Sequence, residues 1–173
     1  LKHKLKKRLT YLYTGELISV ILFIFLSYLL NHTFPKLQLY GLVSFWLSFI
    51  LFEFLLLQGV LYWTSKLRKM KAGHTPVTPT NVVRLLKKLQ TVNIGFIFLA
   101  GVGFFLDWIR LQPALPIGGL SLSFFIFVFA ILEYINYFHI QLSYDNRSDL
   151  KHLLRTKRLK QACLKRDFVR ISK

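Results

Sequence analysis

The chain contains one cysteine, Cys163, so it cannot build an internal disulfide framework, and it has no Cys-x-x-Cys pair for metal or thiol chemistry. Acidic residues are nearly as scarce. Seven Asp and Glu stand against 24 Lys and Arg, a formal net charge of +17. There is no His-Glu-x-x-His, no Gly-x-Ser-x-Gly and no phosphate-binding Gly-Lys-Ser/Thr loop. His3, His32, His74 and His152 fall in loops and basic segments without metal-ligand spacing. A di-metal carboxylate bundle needs Glu-x-x-His on two helices; this chain offers Glu133-x-x-Asn136, and no His stands three residues after a Glu. No catalytic residue, metal site or cofactor is therefore expected, and an intramembrane enzyme lacks a visible nucleophile.

What the sequence does contain is long apolar runs. Hydrophobic residues make up 54% of the 173 positions. They gather into stretches long enough to cross about 30 Å of hydrocarbon, which takes roughly 20 helical residues. Four spans are expected, at about 10–30, 39–63, 91–109 and 118–142. The prolines Pro35, Pro76, Pro79, Pro113 and Pro116 all lie in the polar segments between or beside them, where a helix can end. The first run follows a basic stretch, as a signal peptide would. Its length and its lack of a small-residue cleavage site favour a retained span. Tyr40 and Trp63 sit near the two ends of the second run, where aromatic rings favour the headgroup level.

Charge gives the orientation. Five cations precede the first span, seven lie in the loop 64–90, and ten in the tail 143–173, whereas the two other loops carry only Lys36 and Arg110. Basic segments stay on the cytoplasmic side. The expected fold is an all-α, polytopic membrane protein, with four transmembrane helices in a bundle and both termini cytoplasmic. Residues 1–142 form the membrane domain and 143–173 a basic, partly amphipathic tail. A bacterial cytoplasmic membrane or an equivalent organellar membrane fits this pattern. No internal repeat appears at a fixed period.

Three of the seven acids lie inside apolar runs: Glu16, Glu53 and Glu133. A carboxylate in hydrocarbon costs roughly 2.5–3.5 kcal/mol on insertion scales, so it normally faces the bundle interior, water or a partner. Glu133, Asn136 and Tyr137 are spaced i, i+3, i+4 and share a helical face. His139 repeats the three-residue step from Asn136, and Asn93 sits just inside the third span. All these groups belong to the half of the membrane nearest the basic segments. A bundle would gather Glu16, Glu53, Asn93, Glu133, Asn136, Tyr137 and His139 into one polar cluster. Such a cluster serves as interhelical hydrogen-bonding glue, as a proton or cation site, or as a site for a lipid headgroup or partner helix. Gly95, Gly101 and Gly103 read as close-packing points rather than a cofactor loop.

The basic face comprises Lys66, Arg68, Lys69, Lys71, Arg84, Lys87 and Lys88 in the loop, and Arg155, Lys157, Arg158, Lys160, Lys165 and Arg166 in the tail. Val82, Val83, Leu85, Leu86 and Leu89 alternate with Arg84, Lys87 and Lys88, which predicts an amphipathic interfacial segment before the third span. Each cation near an anionic leaflet adds about 1 kcal/mol of attraction. Nucleic acid is the weaker partner, because the tail has only Tyr144 and Phe168 for stacking and no recognisable module. The leading expectation is a non-enzymatic membrane subunit or anchor that binds anionic lipid headgroups, another protein subunit or a second copy of itself. The alternative is a small oligomeric transporter or channel subunit that uses the intramembrane glutamates.

Overall fold

The computed structural model describes residues 2–73, 77–142, 155 and 159–171. Among these it is helical throughout: α1 (Lys2–Thr33), α2 (Val43–Lys71), α3 (Thr80–Arg110), α4 (Ile117–Phe138) and a short α5 (Cys163–Ile171). Two 3₁₀ turns, Pro35–Leu37 and Leu39–Gly41, link α1 to α2. The only extended pairing among the described residues is an isolated antiparallel bridge between Ile140 and Gln161. Helices α1 to α4 are long and apolar enough to cross a membrane, consistent with a multi-pass membrane protein.

The helices run past the ends expected from hydropathy. α1 begins at Lys2 rather than near Thr10, and α2 continues to Lys71 rather than stopping at Trp63. α3 starts at Thr80, so its amphipathic opening and its apolar span are one continuous helix. Lys and Arg are good helix formers and do not end a helix as Pro or Gly would. Arg68, Lys69 and Lys71 also occupy the last turn of α2, where cations complement the helix dipole. The fourth helix ends earlier than expected, at Phe138 rather than Leu142, and Ile140 joins the bridge instead.

The packing is centred on one helix. α2 packs against α1, α3 and α4, whereas α3 and α4 make a much smaller contact and α1 and α4 have little close backbone contact, their side chains meeting at Glu16 and Tyr137. Over its most apolar stretch α2 is 61% buried and α1 only 11%. Large apolar side chains such as Phe98, Phe105, Ile117 and Phe125 point outward from the surrounding helices, as a hydrocarbon solvent requires.

Two devices fix the end of the fold that carries the short loops. Asp107 of α3 is fully buried, and its carboxylate accepts the N–H groups of Val43 (3.1 Å) and Ser44 (2.8 Å). Leu42, at the N-cap position of α2, supplies no side-chain cap, so a residue 63 positions away satisfies these orphan donors. Nearby, Gly119 lies against the backbone carbonyl of Leu37, where a Cβ would collide.

At the opposite end, here called the basic end, α5 docks on the spans. Leu164 and Phe168 are buried, and the Phe168 ring stacks on Phe138 at 6.2 Å. The Tyr62 hydroxyl donates to Asp167 Oδ2 at 2.8 Å, and Thr78 Oγ1 donates to the same oxygen at 2.7 Å. Arg170 pairs with the other carboxylate oxygen at 3.1 Å and also donates to the Thr78 carbonyl.

Candidate functional site

A cavity of about 420 Å³ lies at the basic end between α1, α2 and α4. Its polar walls come from Tyr11, Glu16 and Ser19 on α1, from Tyr62 and Trp63 on α2, from Glu133, Asn136 and Tyr137 on α4, and from Gln141 beyond it, with Arg8 farther toward the basic end of α1. Cys163 and Leu164 of the docked α5 also line it.

The geometry follows from spacing. Residues 133, 136 and 137 share one face of α4, and that face meets α1 and α2. The Tyr137 hydroxyl donates to Glu16 Oε1. Glu133, Asn136 and Tyr137 line the same cavity. Asn136 accepts the Leu142 N–H through Oδ1 at 2.9 Å, which turns its amide nitrogen toward donation. Gly59 makes the approach possible, because a Cβ there would strike the Tyr137 ring and hydroxyl. The indole N–H of Trp63 lies near Glu16 but falls short of a hydrogen bond.

A second cavity of about 330 Å³ lies beside the first, toward the short-loop end. The two share Phe23, Phe52 and Phe129. Phe45, Phe49 and Phe125 extend the second cavity, whose lining is apolar apart from Ser27. The polar chamber and the aromatic groove are thus neighbours that share three rings, each lined by residues of α1, α2 and α4.

The other residues singled out from the sequence lie elsewhere. Asn93 is fully buried and forms a reciprocal amide pair with Gln58 of α2, at 2.9 and 3.0 Å. Glu53 is buried, and neither carboxylate oxygen has a hydrogen-bond partner. His139 follows the last residue of α4, is exposed, and its carbonyl accepts the Ala162 N–H. Glu16, Glu133, Asn136 and Tyr137 therefore share one chamber, while Glu53, Asn93 and His139 do not join them. No group of three or more His, Cys, Asp or Glu suited to a metal occurs among the described residues.

The basic residues also divide. Arg68, Lys69, Lys71, Arg84, Lys87, Lys88, Arg155, Lys165 and Arg166 are exposed. Lys66 is instead drawn into the α5 dock. It donates to the Tyr62 hydroxyl, lies 4.3 Å from that ring's centre and stands 3.5 Å from Asp167. Lys160 is half-buried, and its carbonyl accepts the Gln141 N–H at 2.8 Å. Lys157 and Arg158 lie outside the described residues. Between α2 and α3 the basic end carries a further groove of about 620 Å³, with Leu57, Val60, Leu61 and Val82 in its walls and Arg68 and Lys69 among its lining residues.

Sequence reasoning missed Gln58, Asp107 and Asp167. Gln58 is a lone amide inside an apolar run, with no motif around it. Asp107 read as part of a loop, and Asp167 as one acid in a basic tail. Comparison with protein-family models, with curated proteins and with solved structures finds no match, so the functional argument rests on the geometry.

Proposed function

We propose that the protein is a non-enzymatic membrane subunit or anchor, with both termini in the cytoplasm, that holds anionic lipid headgroups at its basic end. The supporting observation is the groove between α2 and α3. Its Leu57, Val60, Leu61 and Val82 walls suit hydrocarbon, and Arg68 and Lys69 stand where a phosphate would lie. Lys87 and Lys88 on α3 add to the same positive field. The charge bias of the loops supports a cytoplasmic orientation in a bacterial or organellar inner membrane. With α5 docked on the spans, the exposed Lys165 and Arg166 present a fixed basic surface that also suits an acidic protein partner.

The test is lipid retention. The protein is reconstituted in nanodiscs of mixed phosphatidylglycerol and phosphatidylcholine, released into detergent, and weighed by native mass spectrometry. Phosphatidylglycerol should be retained preferentially, and Arg68→Gln with Lys69→Gln should reduce that preference about tenfold. Equal retention of both lipids by the unaltered protein would overturn the reading.

One observation favours the transport reading instead. A buried carboxylate without a partner, as at Glu53, is a costly feature that ion handling would explain. Glu53 lies outside the chamber that holds Glu16 and Glu133, so a shared pathway would need a further copy of the chain. Proton or cation flux in liposomes that disappears in Glu53→Gln would favour this second reading over the first.

A further inference from the structure

We infer that the strap formed by residues 159–171 is a lid on the polar chamber: docked, α5 closes part of the chamber's basic end, and undocked it opens that end to water. The device is separate from the basic groove between α2 and α3.

The strap supplies a wall of its own. α1, α2 and α4 form the sides of the chamber of about 420 Å³, and Cys163 and Leu164 of α5 add to its lining. Just before α5 the strap is paired back on the end of α4. The Gln141 N–H donates to the Lys160 carbonyl at 2.8 Å, and the Ala162 N–H donates to the His139 carbonyl at 3.3 Å. Leu164 belongs to the same apolar cluster as Tyr62 and Tyr137, and both tyrosines also line the chamber. Tyr62 is 1% exposed and bonded to Asp167 of α5, so lifting α5 uncovers part of the chamber wall itself.

The sideways approach is barred. At the level of Glu16, the Tyr137–Glu16 hydrogen bond bridges α1 and α4. The approach from water is at the basic end, where Arg8 and Tyr11 of α1 share the lining with Gln141, Cys163 and Leu164.

α5 is the element suited to move. It has nine residues, too few to hold a helix in water alone, so it depends on the surface it packs against. Leu164 and Phe168 are its buried apolar side chains, and one carboxylate, Asp167, gathers Tyr62, Thr78, Lys66 and Arg170. Lys165 and Arg166 on the other side are exposed. Undocked, α5 is an amphipathic basic helix that can lay Leu164 and Phe168 into the adjacent bilayer surface and keep its cations among the headgroups. Its apolar face is covered in both states, which keeps opening within reach of local fluctuation.

The experiment measures water access inside the chamber. Ser19 is half-buried in the chamber wall, one helical turn deeper than Glu16. The full chain carrying Cys163→Ser and Ser19→Cys is placed in vesicles with its basic end facing a membrane-impermeant methanethiosulfonate. Two further changes each undock α5: Asp167→Ala removes the polar tie, and Leu164→Asp with Phe168→Asp removes the apolar one. Each should raise the reaction rate at Ser19→Cys about tenfold. Ser48→Cys, at a fully buried position between the spans, is the control and should stay unreactive throughout. The inference is overturned if Ser19→Cys reacts at the same rate with α5 docked and in both undocking variants. It is overturned equally if Ser48→Cys gains reactivity in both variants, because α5 would then be a brace for the whole bundle rather than a lid.

Discussion

The Tyr62 hydroxyl donates to Asp167 Oδ2 at 2.8 Å, tying the basic end of α2 to a helix 105 residues later in the chain. Thr78 donates to the same oxygen at 2.7 Å, and Lys66 and Arg170 stand at 3.5 and 3.1 Å from the carboxylate. One half-buried carboxylate thus collects two hydroxyls and two cations. Without it, α5 would keep the burial of Leu164 and Phe168, the Arg170 bond to the Thr78 carbonyl and the backbone pairing beside residues 160–162, but lose its central polar tie.

Release of α5 is the first expected consequence of losing that carboxylate. Hydrogen bonds to a charged group contribute about 1.5–3 kcal/mol each, so Asp167→Ala should favour the undocked helix by at least tenfold. Cys163 reports this directly, since it is the sole cysteine, is half-buried and belongs to α5. A membrane-impermeant maleimide should label Cys163 at least about tenfold faster in Asp167→Ala vesicles whose basic end faces the reagent. An unchanged rate would show that the carboxylate does not hold the helix.

The opposite end depends on Asp107. Replacing it with Ala orphans the N–H groups of Val43 and Ser44, the second of which is fully buried. Each unsatisfied buried group costs about 1–3 kcal/mol, so the melting temperature in detergent should fall clearly. Asp107→Asn retains one acceptor oxygen and should lose roughly half as much. Equal losses for the two variants would mean that the site matters through packing rather than through the cap.

Two glycines make a matched pair. A Cβ at Gly59 meets the Tyr137 ring and hydroxyl, while a Cβ at Gly95 meets nothing within 4 Å. Gly59→Ala should destabilise the fold and displace Tyr137 from Glu16. Gly95→Ala should be neutral, or stabilising by up to about 1 kcal/mol, because Ala is the better helix former. Detergent melting curves for both variants give the comparison, and a neutral Gly59→Ala would contradict the close approach of α2 and α4.

The spans were legible in the sequence because run length and charge are local properties. Helix ends were less so: hydropathy falls at Arg68 and Lys69, but helical hydrogen bonding continues through them to Lys71. The face shared by Glu133, Asn136 and Tyr137 could be read from spacing, since all three lie on one helix. Which helix would meet that face could not, because the meeting depends on Gly59, a lone glycine with no motif around it. The N–H partners of Asp107 and the hydroxyl partners of Asp167 are more than 60 residues away and leave no periodic trace; only Arg170, three residues after Asp167, stands at helical spacing. The sequence also suggested one polar cluster where the structure has two separate polar contacts and an isolated carboxylate. A central α2 presents different sides to α1, α3 and α4, so polar residues on different helices need not converge.

The Gln58–Asn93 pair offers the cleanest measurement of polar packing between spans. Both side chains are buried, and each amide donates to the other's carbonyl oxygen, at 2.9 and 3.0 Å. Gln58→Leu or Asn93→Leu alone leaves one amide buried without its partner, which should cost about 1–3 kcal/mol. The double substitution removes both amides, so its cost should be less than the sum of the two. Hydrogen bonds between membrane helices average about 0.6 kcal/mol and reach about 2 kcal/mol in model peptides, and the coupling energy should fall in that range. Gln58 also donates to the Phe54 carbonyl at 3.2 Å within its own helix, so Asn93→Leu leaves it partly satisfied and should be the milder single change. A double-mutant cycle of unfolding in mixed micelles reads both quantities, and strictly additive losses would show that the two amides do not support one another.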